Sequence, residues 1–152
     1  MSTPDARAGE AYPAQVLAHA RQPRFQTPLP APDAQAEGFN VLCGDRIRVM
    51  LSLRGGRIAG YAFHAQACAL TVAAASMLGE RLPGLDHAGV ARLRDDFDAL
   101  LGGAPAVPPT LGGLAEFAGL ARFPARHRCA QLPFATVLAA LDGRAHATTE
   151  EA

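Results

Sequence analysis

The segment from residue 46 to residue 65 constrains the fold most, because its pattern is that of a β-hairpin. Every second residue of its first half is apolar, which is typical of a half-buried strand: Ile47, Val49, Leu51 and Leu53. Gly55-Gly56 follows, where a two-residue hairpin turn needs positive φ angles. Residues 58–65 are then the expected return strand, with a weaker pattern.

Helical patterns lie on both sides of this hairpin. Before it, we expect a helix with its apolar face at Tyr12, Val16, Leu17 and Ala20, ending at Pro23 and followed by a Pro-rich loop. After it, we expect an Ala-rich helix from Cys68 to about Arg81, a helix over Val90–Leu100 capped by Asp86, a short helix capped by Thr110, and a last helix from about Cys129 to Leu141 closed by Gly143. The sequence predicts an α+β fold, a small antiparallel sheet packed against several helices.

The length of 152 residues fits one domain. We expect that domain over residues 11–143, with a disordered N-terminus over 1–10 and a disordered C-terminal tail over 144–152. The longest apolar stretch, Ala67 to Leu78, is too short to span a bilayer, and the N-terminus has no apolar core of signal-peptide type. We therefore expect a cytoplasmic protein without membrane contact.

The charged residues give no support for nucleic-acid or membrane binding, and they exclude lysine-dependent chemistry. The formal net charge is zero and the pI is near 7, which does not favour binding to nucleic acid or to an anionic membrane. All 14 basic side chains are arginines. The absence of lysine excludes lysine-based Schiff-base chemistry and a phosphate-binding loop of the Walker type.

Three cysteines, Cys43, Cys68 and Cys129, lie at the boundaries of predicted elements. Their odd number and scattered spacing do not indicate a disulfide framework. Cys68 and Cys129 are expected at helix N-termini, where the partial positive charge favours a thiolate. Asp45 follows Cys43 by two residues, a spacing that puts both side chains on one face of extended backbone, and Gly44 allows a tight loop.

Three thiolates and one carboxylate are a possible donor set for Zn²⁺ or Fe²⁺. Their four negative charges exceed the metal's two positive charges, and Arg46, Arg126 and Arg128 are near enough in sequence to compensate. A carboxylate is a harder and weaker ligand than a thiolate, which makes Asp45 the labile position. Structural zinc sites are normally closed by Cys and His alone, so this set favours exchange.

The residues alone leave other interpretations open. Free cysteines are often buried as small hydrophobic residues, and gaps of 25 and 61 residues match no compact zinc pattern. Asp45 is also compatible with a turn or a surface ion pair. His127 near Cys129 suggests a Cys–His nucleophile, but residues i and i+2 of a helix do not face each other. The other histidines considered are expected at the surface: His19, His64 and His87.

Four motifs in order give a family resemblance over about residues 12–142. Cys43 to Ile47 resembles the CGDRI signature of the IscU/NifU-type iron–sulfur scaffold proteins. The other motifs resemble that family's N-terminal helix, its FxGxGC and SASM segments, and its FPARxKCA segment, at residues 16–24, 63–77 and 123–130. IscU itself has His before the third cysteine, where this chain has Arg128. With the long spacing between Cys68 and Cys129, this resembles the SufU branch.

The resemblance implies a Zn²⁺ site formed by Cys43, Asp45, Cys68 and Cys129. It also implies sulfur transfer from a partner cysteine desulfurase of the SufS type, and delivery to downstream Fe–S assembly or acceptor proteins. Cys43 is the expected sulfur acceptor, and Arg126 is expected to support the site electrostatically. The alternatives are a scaffold that builds a transient [2Fe–2S] cluster on the same ligands, a zinc-stabilised interaction module without transfer activity, and a Cys–His hydrolase using Cys129.

The chain departs from the family pattern at a few positions near these ligands. Ala65 and Ala67 replace glycines, and Ala would be strained there if those positions need positive φ angles. Val41 replaces a proline, and Arg128 replaces a lysine with a group of different geometry.

Overall fold

The computed structural model describes residues 13–149, so the expected disordered N-terminus and Tyr12 lie outside it. In chain order its elements are α1 (Ala14–Arg21), β1 (Ala34–Asn40), β2 (Asp45–Arg54), β3 (Arg57–Gln66), α2 (Ala69–Gly79), α3 (His87–Leu101), 3₁₀ segments at Pro109–Arg122 and Pro124–Arg126, α4 (His127–Leu141) and β4 (His146–Thr148). None of the helices in this part of the chain is both long and apolar enough to cross a membrane.

The four strands form one sheet in the order β3-β2-β1-β4. The β1–β2 and β2–β3 pairs are antiparallel, but β4 pairs with β1 in parallel. The α+β class is confirmed, whereas the sheet is mixed rather than wholly antiparallel. β4 also lies inside the tail that we expected to be disordered from residue 144, and residues 150–152 are outside the described part. Three residues are too few to give an alternating pattern, which explains why this strand was missed.

The predicted hairpin is confirmed as β2 and β3. Gly55 and Gly56 have φ angles of 59° and 78°, and Arg54 pairs with Arg57 across the turn. The apolar positions Ile47, Val49 and Leu51 are fully buried. The alternation therefore identified the face of β2 that packs against the helices.

Helix α4 packs across β1 and β2 and contacts α2 and α3 on its other sides. Its Phe134 stacks on Phe97 of α3 with 4.6 Å between ring centroids. The closest approach to the sheet is at Gly38 of β1, where an added Cβ would lie 2.0 Å from Thr136 Oγ1. A glycine in β1 thus lets α4 lie close to the strand that leads to Cys43.

The helix boundaries largely follow the predictions. α1 ends before Pro23, and the Asp86 side chain caps α3 by accepting a hydrogen bond from the Gly89 N–H at 2.9 Å. α4 begins at His127 rather than at Cys129, because the 3₁₀ turn at Pro124–Arg126 leads directly into it. Thr110 does not cap a helix; it lies inside the first 3₁₀ segment and donates to Asp96.

Candidate metal centre

Cys43 lies in the turn of residues 41–44 that joins β1 to β2, and it is exposed. Backbone hydrogen bonds close this turn from Cys43 N–H to Asn40 O and from Gly44 N–H to Val41 O, and Gly44 has a φ of 70°. Residues 43–45 are therefore not extended. The assumption of extended backbone, which we used to place Cys43 and Asp45 on one face, is wrong. The turn itself brings the two side chains together, since Asn40 pairs with Asp45 at the base of the hairpin.

Asp45 is buried, with 3% of its surface exposed, so it is not a surface ion pair. Its Oδ1 accepts the Cys68 backbone N–H at 2.8 Å, and its Oδ2 lies 3.8 Å from Cys68 Sγ. This carboxylate joins the start of β2 to the start of α2. The turn that carries Cys43 and the N-cap position occupied by Cys68 are thus held side by side.

Cys68 occupies the N-cap position of α2 and is half-buried. A hydrogen bond with Cys129 lowers the pKa of Cys68 to about 6, and hydrogen bonds with Thr71 add to this effect against the opposing effect of burial. The predicted direction is confirmed at this cysteine, although the main cause is the hydrogen bond with Cys129 rather than the charge of the helix N-terminus.

Cys129 lies in the first turn of α4 and is 3% exposed. Its Sγ is 3.5 Å from Cys43 Sγ, and the Asn40 amide Nδ2–H points to it at 3.9 Å. The hydrogen bond with Cys68 raises the pKa of Cys129, and burial raises it further. We expected the helix N-terminus to lower this pKa; that prediction is wrong, because the neighbouring Cys68 thiol and desolvation raise it.

The structure gathers three of the predicted ligands closely and places the fourth beside them. One donor atom from each of Cys43, Asp45 and Cys129 lies within 4.8 Å of the others. Cys68 lies outside this group of three, but its Sγ is 3.8 Å from Asp45 Oδ2 and it forms a hydrogen bond with Cys129. Three sulfur donors and one carboxylate are a set that suits zinc. Arg126 is exposed at the N-terminal end of α4, and its supporting role stays a prediction.

Thr71 belongs to the site but was not predicted. It is fully buried, and its Oγ1 lies 2.9 Å from Cys129 O, 3.1 Å from Asp45 Oδ2 and 3.5 Å from Cys68 Sγ. Proline at position 133 has no N–H, so the Cys129 carbonyl lacks its usual helical partner four residues on. The Thr71 hydroxyl supplies a donor to that carbonyl. Its position three residues after Cys68, one helical turn away, was the available signal.

Asn40 is the second residue that sequence analysis did not assign to the site. It is 1% exposed, and its Oδ1 has no hydrogen-bond partner among residues 13–149. Its amide Nδ2–H is directed toward Cys129 Sγ. Strand β1 was not predicted from the sequence. Its pairing with β2 places Asn40 opposite Asp45 and next to the cysteines.

The histidines do not join the thiols. His127 Nε2 contacts Leu120 O at 2.7 Å, which gives no support to a Cys–His nucleophile with Cys129. His64 and His87 are exposed, as expected. His19 is not a surface group: its side chain is 14% exposed, and its Nδ1 lies 2.7 Å from Ser76 Oγ.

The substitutions of family glycines leave the backbone unstrained. Within residues 13–149, Phe25 is the single non-glycine residue with a positive φ. Ala65 and Ala67 therefore adopt ordinary conformations, and the approach to Cys68 does not require glycine.

Comparison with known proteins gives a family match. The sequence profile described as the NifU-like N terminal domain matches residues 11–130. Bacillus subtilis "Zinc-dependent sulfurtransferase SufU" is 31% identical over 94 residues, covering 61% of this chain and 64% of that protein. The match to the "Bifunctional protein NifU/MnmA" of Rubrobacter xylanophilus is 33% identical over 66% of this chain but only 20% of that protein. The chain thus spans less than two thirds of these two relatives.

Other relatives match over most of their length. The "Iron-sulfur cluster assembly scaffold protein IscU" of Thermotoga maritima is 25% identical over 86% of this chain and 92% of that protein. The crystal structure of a NifU-like protein from Brucella abortus superimposes with a TM-score of 0.82 at 25% identity, covering 91% of this chain and 96% of that one. A SUF-system scaffold protein from Fervidobacterium islandicum has the same fold, with a TM-score of 0.80 at 21% identity and coverage of 88% and 98%.

Proposed function

This chain belongs to the NifU-like N-terminal domain family, and we propose that it is an iron–sulfur cluster assembly protein that accepts sulfur on Cys43 from a cysteine desulfurase and depends on zinc to do so. The observation that carries this proposal is the asymmetry of the thiol cluster. Cys43 is exposed on a turn, whereas Cys129 and Asp45 are each 3% exposed. A partner protein can reach Cys43 without opening the core.

The transfer step needs only the chemistry of two sulfur centres. The Cys43 thiolate attacks the outer sulfur of the partner's persulfide, and a new S–S bond forms on Cys43. The S–S bond within the partner breaks, and the partner's cysteine leaves as a thiolate. Sulfane sulfur moves without net oxidation or reduction. Cys129, Asp45 and Cys68 stay in place in the cluster during this exchange.

The donor set supports zinc as the resident metal, held by Cys43, Asp45, Cys68 and Cys129. Bound zinc supplies positive charge that keeps thiols deprotonated at neutral pH. The protein contributes the arrangement: Asp45 is already held by the Cys68 N–H, and Cys129 by Asn40. The SufU relative from B. subtilis, named as zinc-dependent, supports the same assignment.

The proposal is tested by sulfur loading of the wild type beside Cys43→Ser. Each protein is incubated with the organism's own SufS-type desulfurase and cysteine, and intact mass spectrometry counts the added sulfur. The wild type should contain about one zinc by elemental analysis, from the single four-ligand set, and gain a sulfur atom that a thiol reductant removes. Cys43→Ser should gain none. Sulfur loading that persists in Cys43→Ser would contradict the assignment of Cys43.

A transient [2Fe–2S] scaffold is the second candidate, because the sequence match to the T. maritima IscU relative extends over 86% of this chain and 92% of that protein, and the same four side chains could hold a cluster. Protein purified without reconstitution distinguishes the two. A colourless zinc protein supports transfer, and a brown protein with visible absorbance supports scaffolding. A third result would favour a zinc-stabilised interaction module without transfer activity. In that case Cys43→Ser keeps its fold and metal and stimulates the desulfurase to the same extent as the wild type does.

A further inference from the structure

Two large apolar side chains project from the turn that carries Cys43. Val41 is 72% exposed and Leu42 is 78% exposed, and they directly precede the thiol in sequence. Val107, on a different loop, is the other largely exposed residue of this kind in residues 13–149, at 52%. Single exposed apolar residues are ordinary, but two neighbours at the tip of a turn beside a reactive thiol indicate a contact surface.

Positive charge lies next to this tip on the outer face of the sheet. Arg46 and Arg48 of β2 point to the opposite side from buried Ile47 and Val49, and both are exposed. Together with Glu37, His64 and Gln66 they line a shallow depression of about 250 Å³. The Arg46 guanidinium lies 5.4 Å from the centre of the Phe39 ring, which restricts its position.

We propose that Val41 and Leu42 form an apolar plug that, with Arg46 and Arg48, docks onto the protein that donates sulfur to Cys43. We call these four residues the docking tip. The partner surface that fits it is an apolar pocket with an acidic rim beside the persulfide. This inference rests on the proposed function, because it assigns the partner of the same thiol.

The geometry of transfer makes this surface a necessary contact. Reacting atoms must approach to about 3–3.5 Å, so the residues around Cys43 are buried against any protein donor. Apolar side chains at the centre of such a contact supply affinity, and charges at its edge set orientation and encounter rate. The docking tip has this arrangement, with its apolar residues nearest the thiol and its arginines on the adjoining strand.

A second copy of this chain is a poorer occupant. A symmetric dimer buries the same patch on both subunits, and a contact centred on the docking tip would bring four arginines together. Glu37, the cross-strand neighbour of Arg48, supplies one opposing charge per copy and so offsets only half of them. Like charges across an interface are unfavourable. A partner with acidic groups removes that conflict.

The apolar part is tested with the double variant Val41→Ser/Leu42→Ser, and Val107→Ser is the matched control. Sulfur transfer is measured from the persulfide-loaded desulfurase, and separately from glutathione persulfide, which needs no docking. We expect the double variant to raise the KM for the desulfurase about tenfold or more, since burial of such side chains is a main source of interface affinity. The rate with glutathione persulfide, the zinc content and the Tm should match those of Val107→Ser.

The charged part is tested with Arg48→Glu beside Arg54→Glu. Both residues lie on the same strand and the same face, but six residues apart, about 20 Å in extended chain. In the wild type, added salt should lower the rate of transfer from the desulfurase, because salt screens the arginines. Arg48→Glu should raise the KM for the desulfurase and reverse this salt effect. Arg54→Glu should do neither.

The possible results separate the two proposals. If the wild type accepts sulfur from neither donor, the proposed function fails and the docking tip fails with it. If glutathione persulfide loads Cys43 while the double variant and Val107→Ser behave alike with the desulfurase, the docking tip alone is overturned. A concentration-dependent dimer that the double variant abolishes, with transfer unchanged, would assign the surface to a second copy instead.

Discussion

At the scale of single residues, Thr71 connects three of the elements that carry the site. Its hydroxyl lies within hydrogen-bonding distance of a carboxylate oxygen on β2 and of a carbonyl on α4, and its own helix α2 begins after Cys68. One hydroxyl proton serves these acceptors one at a time. The carbonyl of Cys129 depends on it most, because Pro133 removes the usual helical donor.

Replacement of Thr71 by valine should therefore destabilise the protein more than removal of an ordinary threonine hydroxyl. A buried acceptor left without a donor costs about 1–3 kcal/mol of unfolding free energy. Thr136→Val is the matched control, since Thr136 is equally buried and its hydroxyl donates to Leu132 O of its own helix, a carbonyl that keeps its usual helical partner. Urea unfolding measures both, and Thr71→Ser should recover most of the loss. Equal losses for Thr71→Val and Thr136→Val would refute this role.

The residue types explain which members of the site were predictable. Cys43, Cys68, Cys129 and Asp45 carry metal-binding groups, so their chemistry is visible in the sequence. Thr71 and Asn40 are common residue types whose importance depends on what lies opposite them in space. The shift of the Cys129 pKa was wrongly predicted for the same reason, since it depends on the Cys68 thiol across the cluster.

At the scale of elements, the contact of α4 with β1 determines where Cys129 lies. Gly38 is the point of contact: an added Cβ would lie 2.0 Å from Thr136 Oγ1, 3.0 Å from Ile47 Cγ2 and 3.1 Å from Leu132 Cδ1. None of these atoms has room to move far, because their residues are fully buried. A methyl group at this position must push α4 away from the strand.

Gly38→Ala should accordingly lower the unfolding free energy by about 1–3 kcal/mol, as overpacking of a dense core does. It should also weaken zinc binding, because Cys129 moves with α4 relative to Cys43. Gly113→Ala is the control, since a Cβ there meets nothing closer than 3.6 Å. Calorimetry and competition with a zinc chelator give the two readouts. The double variant Gly38→Ala/Thr136→Ala should regain stability; failure to do so would show that Thr136 is not the obstacle.

Prediction of the elements succeeded where side chains alternate clearly. β2 and the Gly55-Gly56 turn have that pattern, and both were found. β1 was missed because its buried positions are Ala36, Gly38 and Asn40, which are small or polar and resemble a loop. Their small size is what lets α4 pack closely, so the feature that hides the strand also serves its packing.

At the scale of the whole molecule, the four candidate ligands come from separate parts of the chain. Cys43 lies on the β1–β2 turn, Asp45 at the start of β2, Cys68 between β3 and α2, and Cys129 in α4. No sequence spacing could place Cys129 beside the others, since it lies 61 positions after Cys68, with α2, α3 and two 3₁₀ segments in between. The family resemblance implied that proximity, and packing of α4 on the sheet produces it.

A metal bound by these ligands would act as a cross-link between the sheet and two helices. Binding to the folded state alone stabilises it, by about 2.7 kcal/mol when free zinc is a hundredfold above its Kd. For a domain of this size that corresponds to a Tm difference of about 5–10 °C. We therefore expect removal of zinc by a chelator to lower the Tm by this amount, measured by calorimetry on samples whose zinc content is determined in parallel.

Cys68→Ser distinguishes this linkage from a general effect of the chelator. The variant lacks one of the four candidate ligands, so its Tm should lie near that of the zinc-free wild type and should not fall further on chelation. Re-addition of zinc should restore the wild type alone, because only its ligand set is complete. The contrary outcome is a wild type that has demonstrably lost its zinc and keeps its Tm. It would mean that the metal does not connect these elements. Packing at Gly38 and in the aromatic core would then be sufficient to hold α4 to the sheet.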